Sequence, residues 1–416
     1  MADSVTTPRG MRDFLPAEKA RREHALRVIR EVYSAHGFDE IETPAMENSE
    51  RLYGGLGGDN EKLAFAVMRR ALSADDLAMA AASGDPLALA DLGLRFDLTV
   101  PLARFYATHR GQLPPVFRSI HIGPVWRAER PQKGRYRQFV QCDIDIIGET
   151  STIAEGELFA ATSATLEALG LSGCTIRLND RRVLSGILRG WGIPVEHSGR
   201  ALITLDKLDK IGADKVAEEL RELGITRADV ASDIAALAAA DWDTVRAAPD
   251  WLDPTAAAHL LALHAAFPDI QLQFDPTLVR GMGYYTGTIF EIAHPKMGYS
   301  LGGGGRYDGM IGRFLGEDVP ACGFSIGFER IVDLITLPDD QRSRAVVLVH
   351  DADVSVTTLL ALKRSLIARG DRVRLERRVK NMRALLDRAA LEGFDVFSNV
   401  TSGSGDASTL EFRSLR

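Results

Sequence analysis

The stretch 118–148, RSIHIGPVWRAERPQKGRYRQFVQCDIDIIG, does most to limit what this chain can fold into. It reads as two strands joined by a strongly cationic loop. In the second strand Gln141, Asp143 and Asp145 alternate with Cys142, Ile144 and Ile146. A strand turns successive side chains to opposite faces, so the polar triplet shares one face and the apolar triplet the other. The connecting loop carries Arg127, Arg130, Lys133, Arg135 and Arg137. Acceptors on a sheet face beside guanidinium groups suit a site that holds an ammonium-bearing substrate next to phosphates. A solvated hairpin with a charged tip accounts for the stretch equally well at this point.

At 416 residues the chain calls for two or three domains, and 45% hydrophobic with 26% charged residues is the composition of a soluble globular protein. No run approaches eighteen apolar residues, so no membrane span is expected, and MADSVTTPRGMRDF lacks the apolar core of a signal peptide. Cys142, Cys174 and Cys322 have no paired spacing, which argues against a disulfide framework or a zinc site and fits a reducing cytoplasm. The nine histidines show no metal-ligand spacing either. A net charge of -7 disfavours a protein that is basic throughout, but local patches decide nucleic-acid binding.

Along the chain, a loop at 8–16 precedes a helix over 17–36 stopped by Gly37, and a short strand follows at 38–44. Residues 62–91 are alanine- and leucine-rich and read as a helical insertion. LGLRFDLTVPLARF then places Arg95, Asp97 and Thr99 in alternation with Leu94, Phe96 and Leu98, which predicts a second polar row on a strand. After the central hairpin come a helix at 152–169, a strand at 174–178 and a helix at 183–191. Residues 196–266 read as an inserted helical subdomain. Strand-like segments return at 277–294, 299–311 and 322–335, the last running into a helix. Beyond a polar linker near 337, strands alternating with helices predict a small α/β domain, net positive within an acidic chain.

There is no P-loop, no GxGxxG opening a helix, and no GxSxG elbow. HIGP and KMGYS superficially match class I synthetase signatures, but neither is complete and no dinucleotide fold surrounds them. GGGGRYDG at 302–309 is explained by a structural turn as readily as by a ligand loop. What raises it is its company, with Arg306 inside it and RGMGYYTG carrying Arg280, Tyr284 and Tyr285 shortly before. Small residues let backbone approach a flat ligand, and nearby arginines neutralise phosphate.

WRAERPQKGRYRQFVQCDIDIIG resembles motif 2 of class II aminoacyl-tRNA synthetases in the form found in the histidyl-tRNA synthetase family. PRGMRDFLP through IETP looks like that family's N-terminal and motif 1 region, LVRGMGYYTGTIFE and GGGGRYDG like its two histidine-specific motifs, and GFSIGFERI like motif 3. The resemblance covers essentially the whole chain in the family's order. It implies an α+β fold, with an antiparallel sheet flanked by helices, a helical insertion and a small C-terminal α/β domain of the anticodon-binding kind. The implied boundaries are 1–190 and 271–336 for the two parts of the catalytic core, 191–270 for the insertion and 344–416 for the last domain, which looks shortened. The implied activity is histidine–tRNA ligation: L-histidine and ATP give histidyl-adenylate and pyrophosphate, and the histidyl group passes to the 3′ end of tRNA(His). A homodimer and Mg2+ travelling with ATP, not held in a protein cage, are implied as well.

By the same resemblance, Asp97, Thr99, Gln141 and Asp145 bind the ammonium and imidazole of histidine, and Tyr284 and Tyr285 line the side-chain pocket. Arg127 and Arg280 are the catalytic pair beside the α-phosphate and touch histidine too; Arg135 and Arg330, with Arg127, hold ATP. Asp143 has no implied role. The chain departs from the pattern at Gly283, where the family usually has an acid, so Arg280 is expected to lose a partner there. The alternative of another class is a catalytically silent histidine sensor similar to the regulatory subunit of ATP phosphoribosyltransferase. Such relatives typically lose the arginine at the Arg280 position and the C-terminal domain, but this chain keeps Arg280, Arg127, Arg330 and most of that domain. The short C-terminus and Gly283 alone suggest a paralogue that makes histidyl-adenylate for another acceptor.

Overall fold

The computed structural model describes residues 5–53, 63–131, 135–223, 229–280, 285–335 and 343–415. Its chain forms two compact units, Met1–Arg12 with Ala25–Ile335, and Asp13–His24 with Thr336–Arg416. The first is built on an eight-stranded sheet of β1 (Asp39–Ile41), β2 (Phe117–Trp126), β3 (Gln138–Ile147), β4 (Thr175–Asp180), β5 (Leu272–Phe274), β6 (Thr288–Ala293), β7 (Gly302–Arg306) and β8 (Ala321–Ile326). Their order across the sheet is β1-β2-β3-β8-β7-β6-β4-β5. The two outermost pairings are parallel and the five between them antiparallel. No helix among the described residues is long and apolar enough to cross a membrane.

The apolar triplet of β3 does what its period predicts: Cys142, Ile144 and Ile146 are fully buried in the main core with Leu158 and Phe159 of helix α1 (Ile153–Ala168). Phe159 meets Phe290 of β6 edge to face at 4.8 Å, which carries the same core under the middle of the sheet. Five helices between Ser198 and Ala266 add Leu202, Val216, Ile234 and Leu260 to that core. In the second unit, Ala345–His350 lies between two parallel neighbours, Arg372–Arg377 and Val396–Val400, and helices Val356–Ala368 and Met382–Leu391 join them.

Four sequence expectations need correcting. Residues 62–91 are not helical throughout: strand Phe65–Met68 comes first and helix Ala74–Ser83 second, followed by a strand at Ala90–Leu94. Arg95, Asp97 and Thr99 do not share a strand, because that strand stops at Leu94 and helix Thr99–His109 starts two residues after Asp97. Pro101 sits inside the first turn of this helix, where its missing N–H has no intrahelical partner to lose. The glycines of 302–305 follow the strand-like reading of 299–311 and not the turn: they form the central strand β7, with all four buried. Finally, of the strand-like segments 277–294 and 409–415, residues 277–287 and 409–412 contribute no strand among the described residues; only Thr288–Ala293 and the two-residue Arg413–Ser414 do.

Arg306 also departs from expectation. It is spent on the fold, not left for phosphate. Its Nε and Nη2 grip both oxygens of Glu155 at 2.8 and 2.7 Å, and its remaining donors reach the carbonyls of Glu149 and Ser151. The Glu155 side chain is only 1% exposed, so removing the arginine strands a buried charge. Arg306→Ala is therefore expected to destabilise the first unit by about 3–5 kcal/mol in urea unfolding, with part of the loss recovered by adding Glu155→Gln.

Candidate active site

The face of the sheet opposite the core carries the polar residues, and the register aligns them. His121, Asp143, Ser325, Gly303, Glu291 and Arg177 fall in one cross-strand row. Ser119, Asp145, Gly323, Gly305, Ile289 and Asn179 form the next. The glycines are what make room on this floor. A Cβ at Gly323 would lie 1.8 Å from Asp145 Oδ1, and one at Gly303 would lie 1.9 Å from Arg280 Nη1.

Three carboxyls are buried together here. Asp97 accepts from the backbone N–H of Val100 at 3.2 Å, holding the start of the Thr99 helix. Burial pushes Asp97 up to about 6, against the pull of that N–H and of Arg127. Asp145 accepts from the hydroxyl of buried Tyr307 at 2.6 Å, yet burial still pushes it up to about 7. Asp143 is pushed well up by burial, with Asp145 adding to the effect. Gln141 donates its amide nitrogen to Ser325 Oγ at 3.2 Å and toward Asp143 at 3.3 Å, while its buried Oε1 has no partner among the described residues. An acceptor held by its own amide and left unpaired in a buried site is fitted to a donor from a ligand.

The arginines stand along the same face. Arg127, just past β2, donates Nε to Phe96 O at 3.0 Å; its Nη groups make no hydrogen bond among the described residues. Arg280 donates Nη1 to Glu291 Oε2 at 2.9 Å and to Gly302 O at 3.2 Å. Arg330 bonds the carbonyl of Ser300 and lies over the Tyr299 ring, 5.2 Å from its centroid. Burial and then the positive charge of Arg280 and Arg135 lower the Arg330 guanidinium, which marks a site short of anions. Arg135 is more than half exposed, with Glu129 at 3.9 Å.

Sequence reasoning placed Asp97, Gln141, Asp145, Arg127, Arg280 and Arg330 in one site, and the geometry brings them to one sheet face and its rim. Thr99 opens a helix beside Asp97 instead of following it along a strand. Tyr285 is half-buried against the core, near Gly305. Tyr284 and Gly283 lie outside the described residues, as does Lys133. Three contributors went unread. Glu329 binds Arg12 at 2.6 Å and the Val140 N–H at 3.2 Å, so motif 3 and the N-terminal loop lock the start of β3. Tyr307 fixes Asp145, and Glu291 fixes Arg280. The acid at 291, alone in the apolar strand TIFEIA, was the available signal.

An antiparallel sheet with acids on its floor and arginines at its rim, continuous with a second α/β unit in the same chain, defines a class II aminoacyl-tRNA synthetase. A family model described as histidyl-tRNA synthetase matches residues 10–331. The chain is 61% identical to the histidine–tRNA ligase of Leifsonia xyli subsp. xyli over 96% of both chains. It is 44% identical to the probable histidine–tRNA ligase of Tropheryma whipplei, over 94% of this chain and 95% of that one. Its fold matches the crystal structure of histidyl-tRNA synthetase from Nostoc sp. PCC 7120 with a TM-score of 0.78 and 25% identity, over 99% and 95% of the two chains. The chain belongs to the histidyl-tRNA synthetase family.

The raised carboxyls have a consequence for stability. A folded-state value above the unfolded one means that the native protein binds more protons, so stability is full below about pH 4 and falls as pH rises toward 7. Asp145→Asn is expected to gain on the wild type in urea midpoint between pH 5 and 7.5; parallel curves would rule the effect out.

Proposed function

We propose that this face carries out both halves of histidine–tRNA ligation: L-histidine and ATP form histidyl-adenylate and pyrophosphate, and the histidyl group then passes to the 3′ end of tRNA(His). The observation that carries the reading is the pairing of three buried carboxyls and an unpartnered Gln141 Oε1 with Arg127, Arg280 and Arg330 on one floor. Asp97, Thr99, Gln141 and Asp145 receive the ammonium and imidazole, and Tyr284 and Tyr285 line the ring pocket. With a ligand cation or an imidazole N–H beside them, Asp97 and Asp145 are drawn to their ionised forms at neutral pH, and the substrate supplies the charge the free site lacks.

Attack of the histidine carboxylate on the α-phosphorus gathers negative charge on the equatorial oxygens. Arg127 and Arg280, already fixed through Nε and Nη1 respectively, present their remaining N–H groups to that charge without reorganising. Arg330 and Arg135 hold the rest of the nucleotide. Mg2+ carried on the ATP phosphates would screen their charge, and Arg127, Arg135 and Arg330 would hold the nucleotide that brings it. No side chain acts as a covalent nucleophile.

A second copy of the chain, joined through the motif 1 region, completes the working enzyme in the cytoplasm. Residues 191–270 serve as an insertion and 344–416 as the anticodon-binding domain. Family membership supports these assignments.

Histidine-dependent ATP–pyrophosphate exchange followed by tRNA charging tests the reading. Arg280→Ala should abolish exchange while histidine binding stays measurable by calorimetry; near-normal exchange would refute the role of this arginine. Asp145→Asn should raise the KM for histidine by about 10- to 100-fold at a near-normal KM for ATP, the size of one charge-assisted hydrogen bond. An unchanged histidine KM would remove Asp145 from the substrate site.

A further inference from the structure

Arg280 ends a segment whose two ends are tied to one cross-strand pair. At the far end, Asp275 takes Arg177 Nε at 2.7 Å and is itself held by the hydroxyl and N–H of Thr277, at 2.6 and 3.0 Å. At the near end, Arg280 Nη1 meets Glu291 Oε2 at 2.9 Å. Arg177 and Glu291 are register partners on β4 and β6, and Arg177 Nη1 stands 3.7 Å from Glu291 Oε1. Between the two ends, Asn179 donates its amide to the carbonyls of Pro276 and Leu278, both at 3.0 Å. The ring Asp275–Arg177–Glu291–Arg280 thus closes through the chain itself.

The ring also sets where the guanidinium lies. Gly303 is the register partner of Glu291 on the other side, and Arg280 Nη1 occupies the place a Cβ would take there. Nη1 alone accounts for every protein hydrogen bond Arg280 makes among the described residues, to Glu291, Ser300 Oγ and Gly302 O. Asp206, between two helices of the segment 198–222, feels the charge of Arg280 without a hydrogen bond among those residues, and Asp209 of the second helix lies 3.5 Å from Arg177 Nη1. The acid in contact with Arg280 is therefore Glu291, 18% exposed at its side chain.

We infer that Glu291 is the positioning residue of adenylate formation: braced by Arg177, it pins one nitrogen of Arg280 so that the others face the reacting phosphate. The inference rests on the role proposed for Arg280. Glu291 touches no reacting atom and acts through the arginine, so its loss should move the chemical step and leave histidine capture alone. A purely structural acid would instead lower the unfolding midpoint and disturb both substrates together.

The test measures pyrophosphate exchange against histidine and ATP separately, with unfolding midpoints, for the full chain. Glu291→Ala is expected to lower kcat by about 10- to 100-fold with the KM for histidine within about 3-fold, the scale of a misplaced electrostatic donor. Glu291→Gln, which keeps the acceptor, should recover most of that loss. Arg177→Met should give a smaller loss, and adding it to Glu291→Ala should cost nothing more, because both act on one arginine. A Glu291→Ala enzyme with wild-type kcat, while Arg280→Ala is dead, overturns the brace and leaves the Arg280 reading intact. An active Arg280→Ala enzyme overturns that reading first. Should Glu291→Ala not fold, Glu291→Asp decides: its shorter acid withdraws from Nη1, so an unchanged kcat overturns the inference and a kcat about 10-fold lower at constant histidine KM supports it.

Discussion

The strand Gly302–Arg306 sits between two partners with its side-chain positions empty, and the site depends on that emptiness. A Cβ at Gly304 would come 1.9 Å from Gly323 O, while Gly303 and Gly323 leave the volumes filled by Arg280 and Asp145. Glycine costs entropy in a strand, and four in succession are paid for only where something must lie directly on the backbone. Because neighbouring strands are locked in register, the clearances at Gly303 and Gly323 fall in the same rows as Glu291, Asp143 and Asp145, while Gly304 lies in the apolar row with Phe290 and Phe324. Sheet pairing alone brings together groups from five separate strands.

Charge then divides the floor. The acids lie toward β3, where burial raises Asp143 and Asp145 and so disfavours their charged forms. The arginines lie around them, and burial with mutual repulsion lowers Arg330. Burial raises the acids and lowers Arg330, so a zwitterionic amino acid and a polyphosphate complement the two halves together. The arginines that serve only the fold, Arg306 on Glu155 and Arg95 on the carbonyls of Thr43, Pro44 and Pro124, are instead saturated by protein acceptors. Saturation is what separates a structural guanidinium from a functional one here.

Much of this was legible in local pattern. The two faces of β3 followed from period two, and the α/β alternation beyond residue 344 followed from hydrophobic runs. Local pattern failed where a tertiary contact replaced a local rule. Asp97 looked like part of an alternating strand until its carboxyl took a helix N–H, and the alanine-rich 62–91 stretch yielded its ends to pairing with Ala90–Leu94. Glycines that suggest a turn by composition became a central strand because two neighbours supplied every backbone partner.

The sequence by itself determined the polar and apolar faces of the central hairpin and the family to which the chain belongs, because each is written in residues adjacent along the chain. Only the tertiary structure decided which arginines are saturated by protein acceptors and which acid Arg280 meets. Arg306 and Arg280 both adjoin glycine-rich stretches, yet one is closed off by Glu155 of a distant helix and the other is held at a single nitrogen by Glu291. Hydrogen-bond partners across strands are set by register, and register depends on how the whole sheet pairs.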